Sequence, residues 1–96
     1  MRVKHMKQLG FHIWCIAGVS RAWRRFDQNG SYVLVTDIGG FDLPEPNGPY
    51  QAVQLTAQDE FVESRSPIWR ASQLVRWLRR RERLVDGNRA ESVVND

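Results

Sequence analysis

The stretch that decides the fold is residues 20–36, SRAWRRFDQNGSYVLVT. Its second half, residues 32–36, is rich in aromatic and β-branched side chains and predicts a β-strand. Residues 27–30, DQNG, precede that strand, and Asn and Gly tolerate the positive φ angles of a tight turn. The whole stretch therefore favours a β-hairpin.

The first arm of this hairpin, residues 20–26, also fits a helix. With Val19, its apolar residues have the i, i+3, i+4, i+7 spacing of an amphipathic helix. The turn that follows favours a strand, and both interpretations stay open. As a strand, the segment would place three residues together on one face: Arg21, Trp23 and Arg25.

The segments on either side of the hairpin predict further strands. Residues 11–17 are short, aromatic and branched. Residues 51–57 and 61–64 would form a second hairpin around a polar turn at residues 58–60. Between the hairpins, residues 39–49 contain three Gly and three Pro, which exclude regular structure and predict a stiff loop.

The C-terminal third of the chain predicts one amphipathic helix. Ser66 and Pro67 are typical of an N-cap and a first helical position, and Ser72 is a second candidate cap. Gly87 is typical of a residue that ends a helix. Arg81 lies at the edge of the apolar side, so its guanidinium must extend to solvent or the helix frays there. Four residues form that apolar side: Ala71, Leu74, Leu78 and Val85.

These elements together predict an α+β fold, an antiparallel sheet of four to five strands with one face packed by the C-terminal helix. The 96 residues suit a single domain, residues 1–96, in which residues 86–96 would form a weakly structured or docked tail. Cys15 shares a strand face with Phe11 and is also expected in the core. Eight residues are expected to line the core: Ile13, Val33, Val35, Val53, Leu55, Leu74, Trp77 and Leu78.

The net charge of +3 is distributed in blocks. Residues 1–26 hold six basic and no acidic residues, residues 27–63 hold seven acidic and no Lys or Arg, and residues 64–85 hold seven Arg and one Glu. The blocks could neutralise each other within one chain, or the acidic block could meet the basic block of a second copy. Alternatively, the basic blocks are exposed for nucleic acid or another anionic partner.

The outer face of the predicted helix is the strongest candidate binding site. The guanidinium forks of its arginines fit carboxylate and phosphate alike. If the helix begins at Pro67, then Trp69 joins this face and could stack on a base. Arg21, Trp23 and Arg25 form a weaker basic and aromatic candidate, with Trp23 buried in the core as the alternative. Four arginines make up the helix face, at i, i+3 and i, i+4 spacing: Arg76, Arg79, Arg80 and Arg83.

Several classes of function are excluded or disfavoured by the sequence. Cys15 is the only cysteine, which excludes an intrachain disulfide and predicts a reducing, cytoplasmic location. The apolar stretch at residues 9–19 is too short to cross a bilayer, so no membrane partner is expected. The phosphate-loop, nucleophile-elbow, H-E-x-x-H and dinucleotide motifs are all missing from the sequence. We therefore expect no cofactor, no metal and no catalytic residue.

Three functions remain as hypotheses. The first is a non-enzymatic protein–protein interaction protein that self-associates, with a dimer favoured, because a small sheet leaves edges and a face to cover. The second is a nucleic-acid-binding accessory protein that uses the arginine-rich helix face, and it fails if acidic side chains cap those arginines. The third is a small-molecule-binding protein with a pocket beside residues 39–49.

Overall fold

The computed structural model describes residues 3–16 and 20–81. Val85, Gly87 and residues 86–96, for which the sequence makes predictions, lie outside the described residues. The elements in chain order are α1 (Val3–Gln8), β1 (His12–Ile16), β2 (Ser20–Phe26), β3 (Tyr32–Asp37), β4 (Tyr50–Leu55), β5 (Phe61–Ile68) and α2 (residues 71–81). The five strands form one sheet in which every neighbouring pair is antiparallel, with the order β1-β2-β3-β4-β5. With α2 packed against this sheet, the predicted α+β fold is confirmed.

Residues 20–26 form a strand, as the turn after them favoured. The Asp27 N–H donates to the Ser31 carbonyl at 2.7 Å, which closes the β2–β3 hairpin. Gly30 within this turn has a φ of 86°, a conformation in which a side chain would be strained. The turn chemistry therefore decided between the helix and the strand.

The core lies between one face of the sheet and the two helices. Five of the eight expected core residues are buried in it, from β3 and α2. Helix α1, which the sequence analysis did not predict, adds the fully buried Met6. The buried cluster has eleven members: Met6, Phe11, Trp23, Val33, Val35, Tyr50, Ala52, Ile68, Leu74, Trp77 and Leu78.

Four residues expected in the core lie outside it. Ile13 is 49% exposed and Cys15 is exposed, because β1 is an edge strand with a neighbour on one flank only. Val53 and Leu55 alternate along β4 with the buried Ala52 and so lie on the opposite face of the sheet, where they are half-buried.

Helix α2 begins later than the sequence predicted. Strand β5 includes Ser66 and Pro67, which are joined by a cis peptide bond, and it ends at Ile68. Ser66 therefore does not cap the helix and Pro67 does not start it. Ser72, the second candidate cap, lies inside the helix, whose first residue is Ala71.

A glutamine supplies the cap that the sequence assigned to serine. The Gln73 Oε1 atom accepts hydrogen bonds from the N–H groups of Trp69 at 2.8 Å and Arg70 at 3.0 Å, just before α2. The Tyr50 hydroxyl donates to the Arg70 carbonyl at 3.3 Å, and burial raises the pKa of Tyr50 to about 12. These contacts join the start of α2 to the start of β4.

Arg81 ties the other end of α2 to three parts of the sheet. Its Nε donates to the Gln54 Oε1 at 2.6 Å, and its Nη2 donates to the Asp27 Oδ2 at 2.9 Å. The Glu63 Oε1 lies 3.8 Å from Nε, and the guanidinium lies 4.9 Å from the centroid of the Trp77 ring. The expectation that Arg81 extends to solvent is wrong: its side chain is only 5% exposed, because these polar groups meet it inside the fold.

We predict that Arg81→Ala lowers the free energy of unfolding by about 2–4 kcal/mol, because it leaves Asp27 and Gln54 without their donor and removes packing from Trp77. Urea denaturation followed by circular dichroism measures the change. The control is Arg80→Ala, since Arg80 is the exposed neighbour on the same helix and should change stability by no more than about 0.5 kcal/mol. Equal losses in the two variants would contradict a structural role for the Arg81 contacts.

Candidate functional site

The sheet has a second face that neither described helix covers. Side chains alternate between the two faces of a strand, so this face carries the residues that lie between the core residues. We call it the open face. Eight of its large side chains, from all five strands, form the surface considered below: Trp14, Arg24, Phe26, Tyr32, Leu34, Val53, Leu55 and Phe61.

One row of large apolar side chains crosses four strands of the open face. Phe26 lies opposite Tyr32, Tyr32 lies opposite Leu55, and Leu55 lies opposite Phe61. Directly opposite residues on one face are close enough for their side chains to pack. Phe26 is 58% exposed and Phe61 is 66% exposed, so the two ends of the row remain accessible to a partner.

A guanidinium group lies over two aromatic rings beside this row. The Arg24 Cζ is 4.6 Å from the centroid of the Trp14 ring and 4.7 Å from that of the Phe26 ring. The Phe26 and Tyr32 ring centroids are 5.6 Å apart, with the rings tilted by 53°. Among the described residues of the five strands, Arg24 is the only Lys, Arg, Asp or Glu on the open face, and its guanidinium contacts two aromatic rings rather than an acid.

Tyr32 connects the open face to the turn between β4 and β5. Its hydroxyl donates to the Asp59 Oδ1 at 2.6 Å, across the β4–β5 turn. Burial and, to a lesser extent, this hydrogen bond raise the pKa of Tyr32, so it stays protonated as a donor. Tyr32 is only 7% exposed, so its ring is held in place and Phe26 packs against it.

The predicted group Arg21, Trp23 and Arg25 lies on the other face of β2. Trp23 is 3% exposed within the core, so its ring is not available to stack on a base. The Arg21 Nε donates to the Asp42 Oδ1 at 2.8 Å, and this hydrogen bond is the main reason that the pKa of Asp42 is lowered and that of Arg21 raised. Arg25 is half-buried. The structure therefore keeps the three on one face but not as a stacking platform.

The outer face of α2 carries three of the four predicted arginines. Arg76, Arg79 and Arg80 are exposed, and within residues 3–16 and 20–81 no ion pair joins them to an acidic side chain. Arg83 lies outside the described residues. Trp69 is 61% exposed but precedes α2, so it is not part of the helical face. The acidic block thus neutralises Arg81 and Arg21 but not this group.

The predicted loop at residues 39–49 is held by Asp37, the last residue of β3, and by its own Asp42. The Asp37 Oδ1 accepts from the Phe41 N–H at 3.1 Å, and the Asp42 Oδ1 accepts from the Leu43 N–H at 2.7 Å as well as from Arg21. Leu43 packs against the core. These contacts fasten the loop to the sheet, and none of them favours the small-molecule hypothesis.

The comparisons do not assign this chain to a family. No family model, no curated protein and no solved structure matches it. In the described part of the chain, no helix is long and apolar enough to cross a membrane, and no group of three His, Cys, Asp or Glu residues could hold a metal ion.

The sequence analysis missed the open face because both faces of β2 carry an aromatic residue. Trp23 and Phe26 lie on opposite faces, and either could have been buried. The available signal was alternation: once β2 is a strand, Arg24 and Phe26 must share a face away from Trp23. Which face the helices cover depends on tertiary packing.

We predict that Phe26→Ser lowers the fluorescence enhancement of 8-anilinonaphthalene-1-sulfonate, a dye that binds exposed apolar surface, because the exposed Phe26 ring packs beside both Arg24 and Tyr32 on the open face. Phe41→Ser is the matched control: Phe41 is 69% exposed but lies on the loop at residues 39–49. An equal decrease in the two variants would show that the open face is not a continuous apolar surface.

Proposed function

We propose that this protein is a small, non-enzymatic protein–protein interaction module that self-associates, with a dimer as its functional unit. The observation that supports the proposal is the open face. Its cross-strand row ends in two phenyl rings that are more than half exposed, next to the stacked Arg24. Contiguous apolar surface of this kind usually marks a site of protein association.

The chemistry of the open face fits a protein better than a nucleic acid. Trp, Tyr and Arg are the side chains that most often dominate the binding energy of protein interfaces, and the open face has one Trp, one Tyr and one Arg in a cluster. Nucleic-acid binding instead depends on several cations that contact phosphates. Arg24 is a single charge and already lies between two rings.

Self-association is supported by the way in which the fold leaves surface uncovered. The helices protect one face of a five-stranded sheet, while the open face and the outer edge of β1 have no described cover. A second copy can cover the same uncovered edge on each chain and leave the open face accessible to another protein, and two-fold dimers of this kind are the commonest oligomers. The cytoplasmic, reducing location expected from a single cysteine is compatible with this function.

We predict that the protein elutes as a dimer in size-exclusion chromatography with light scattering, at twice the chain mass of 11.2 kDa. The mass should fall toward that of one chain on dilution, because a small interface binds only moderately tightly. Added NaCl should change the mass little, since the open face carries one charged side chain and the edge strand β1 has no Lys, Arg, Asp or Glu. A single-chain mass at all accessible concentrations would overturn self-association.

A second candidate function is nucleic-acid binding by the outer face of α2. It is supported by one observation: Arg76, Arg79 and Arg80 are exposed and have no acidic partner among the described residues. Like charges at this spacing destabilise a helix unless anions are near, and phosphates would supply them. This function would use the side of the molecule opposite the open face.

For this candidate we predict that a triple variant, Arg76→Gln, Arg79→Gln and Arg80→Gln, weakens binding of a mixed-sequence single-stranded oligonucleotide. The slope of log affinity against log salt should become shallower by about 2, since three phosphate contacts are lost. Fluorescence anisotropy at several NaCl concentrations measures it. A variant with Lys4→Gln, Lys7→Gln and Arg70→Gln has the same change in net charge, and an equal effect there would rule out a specific site on α2.

A further inference from the structure

Strand β1 forms an edge of the sheet that has none of the features that prevent pairing. Its five residues, HIWCI, include no Pro, Gly, Lys, Arg, Asp or Glu. It pairs with β2 in continuous register, without a bulge. An uncharged, regular edge of this kind is a template for another strand.

The other edge of the sheet is protected. Strand β5 has two register shifts against β4, which break the regular spacing of its backbone groups. It also carries Glu63, Arg65 and Pro67. Charges, bulges and Pro are the devices that keep edge strands from pairing. The two edges of one sheet therefore differ, and in the described part of the chain only the β1 edge lacks these devices.

The hydrogen bonds of β2 show which groups of β1 point away from the sheet. The Arg21 N–H donates to the Phe41 carbonyl at 3.3 Å, and the Asp27 N–H donates to the Ser31 carbonyl, both on the β3 side of β2. Odd-numbered residues of β2 therefore bond toward β3 and even-numbered residues toward β1. Since Trp14 lies opposite Ala22, even-numbered residues of β1 bond to β2.

The N–H and C=O groups of Ile13 and Cys15 consequently point outward. In the part of the chain that the structure describes, neither residue has a backbone partner on that side. The free edge ends at Phe11, whose N–H donates to the Met6 carbonyl at 3.0 Å. Within β1, the edge thus offers two donors and two acceptors, placed symmetrically about Trp14.

We propose that β1 pairs antiparallel with β1 of a second copy, across a two-fold axis at Trp14, to form one ten-stranded sheet. This inference rests on the proposed function and names the contact by which the protein self-associates. Ile13 then lies opposite the partner's Cys15, and Trp14 lies opposite the partner's Trp14. The arrangement makes four hydrogen bonds and uses every free backbone group of Ile13 and Cys15 on both strands.

The register follows from counting these groups. A shift by two residues would place Cys15 opposite the partner's Cys15, or Ile13 opposite the partner's Ile13. Counted over Ile13 and Cys15 alone, either shift makes only two hydrogen bonds and leaves the other outward groups of these two residues without a partner in β1. The centred register also overlaps all five residues of each strand and opposes no like charges.

A second copy fits this edge better than a strand from another protein because pairing between two copies leaves no unprotected edge for a third chain. A dimer joined at β1 has β5 at both of its outer edges, and both are protected. Growth therefore stops at two copies, as closed two-fold symmetry requires. The axis is perpendicular to the sheet, so the two open faces become one continuous surface.

The test compares dimer dissociation constants by light scattering and sedimentation. Ile13→Lys should raise the constant at least about tenfold, because it places a charge in the pairing edge. Cys15→Pro should do the same by removing an outward N–H without affecting the ladder to β2. The matched control is Val62→Lys: Val62 and Ile13 are each 49% exposed, but Val62 is on the protected edge. Circular dichroism verifies that each variant is folded.

A disulfide test checks the register. In a Cys15→Ser background, Trp14→Cys should give a disulfide-linked dimer under mild oxidation, because opposite residues at such a position have Cα atoms about 4.5 Å apart. In the same background, Ile13→Cys should not form a disulfide, since the Cα atoms of residue 13 in the two copies would be about 8 Å apart. The reverse pattern would overturn the centred register.

The outcomes separate this inference from the proposed function. A wild-type dimer that survives both Ile13→Lys and Cys15→Pro, and is not linked through Trp14→Cys, overturns pairing at β1 but leaves self-association intact through another surface. A monomeric wild-type chain overturns self-association itself, and would leave the β1 edge to a strand of a different protein.

Discussion

The buried contact of Arg81 with Asp27 and Gln54 determines where α2 lies on the sheet. Leu74 and Leu78 could pack against either face of a sheet with apolar residues on both sides. The guanidinium could not, because it requires partners for its charge and its donors in a place where it is 5% exposed. Asp27 and Gln54 meet it near the β2–β3 turn, and this contact selects the face that carries Trp23 and Val35 as the core.

Once that face is covered, the other features of the surface follow. Alternation along each strand puts Phe26, Leu55 and Phe61 on the side that no described helix reaches. Burying Arg81 also orients α2 about its axis, which turns Arg76, Arg79 and Arg80 to solvent. The same interaction therefore leaves an aromatic face on one side of the sheet and an arginine face on α2. Because Asp27 of the acidic block binds Arg81, it is not a partner of those exposed arginines.

The strands could be predicted because their signals are local. The DQNG turn and the Pro-rich loop at residues 39–49 divide the chain where the structure divides it, and the strands lie between them. The start of α2 could not be predicted, since Ser66 and Pro67 suit both a helix N-terminus and an edge strand. The role of Arg81 depends on Gln54, which is 27 residues away in the sequence, and on Asp27, which is 54 residues away. No pattern within the helix could therefore reveal it.

The open face, the arginine face of α2 and the β1 edge lie on different sides of the molecule. Pairing at β1 would fix the relative positions of the other two surfaces in a dimer. A two-fold axis perpendicular to the sheet keeps both copies of α2 on one side and both open faces on the other. The dimer would then have a basic side, with the exposed arginines of two helices, and an aromatic side twice as large as in one chain. Protein association and binding of an anion would not compete for surface, because α2 separates its arginines from the open face by the thickness of the core. Dimerisation would strengthen both, since each side would gain a second copy of its site at a fixed distance.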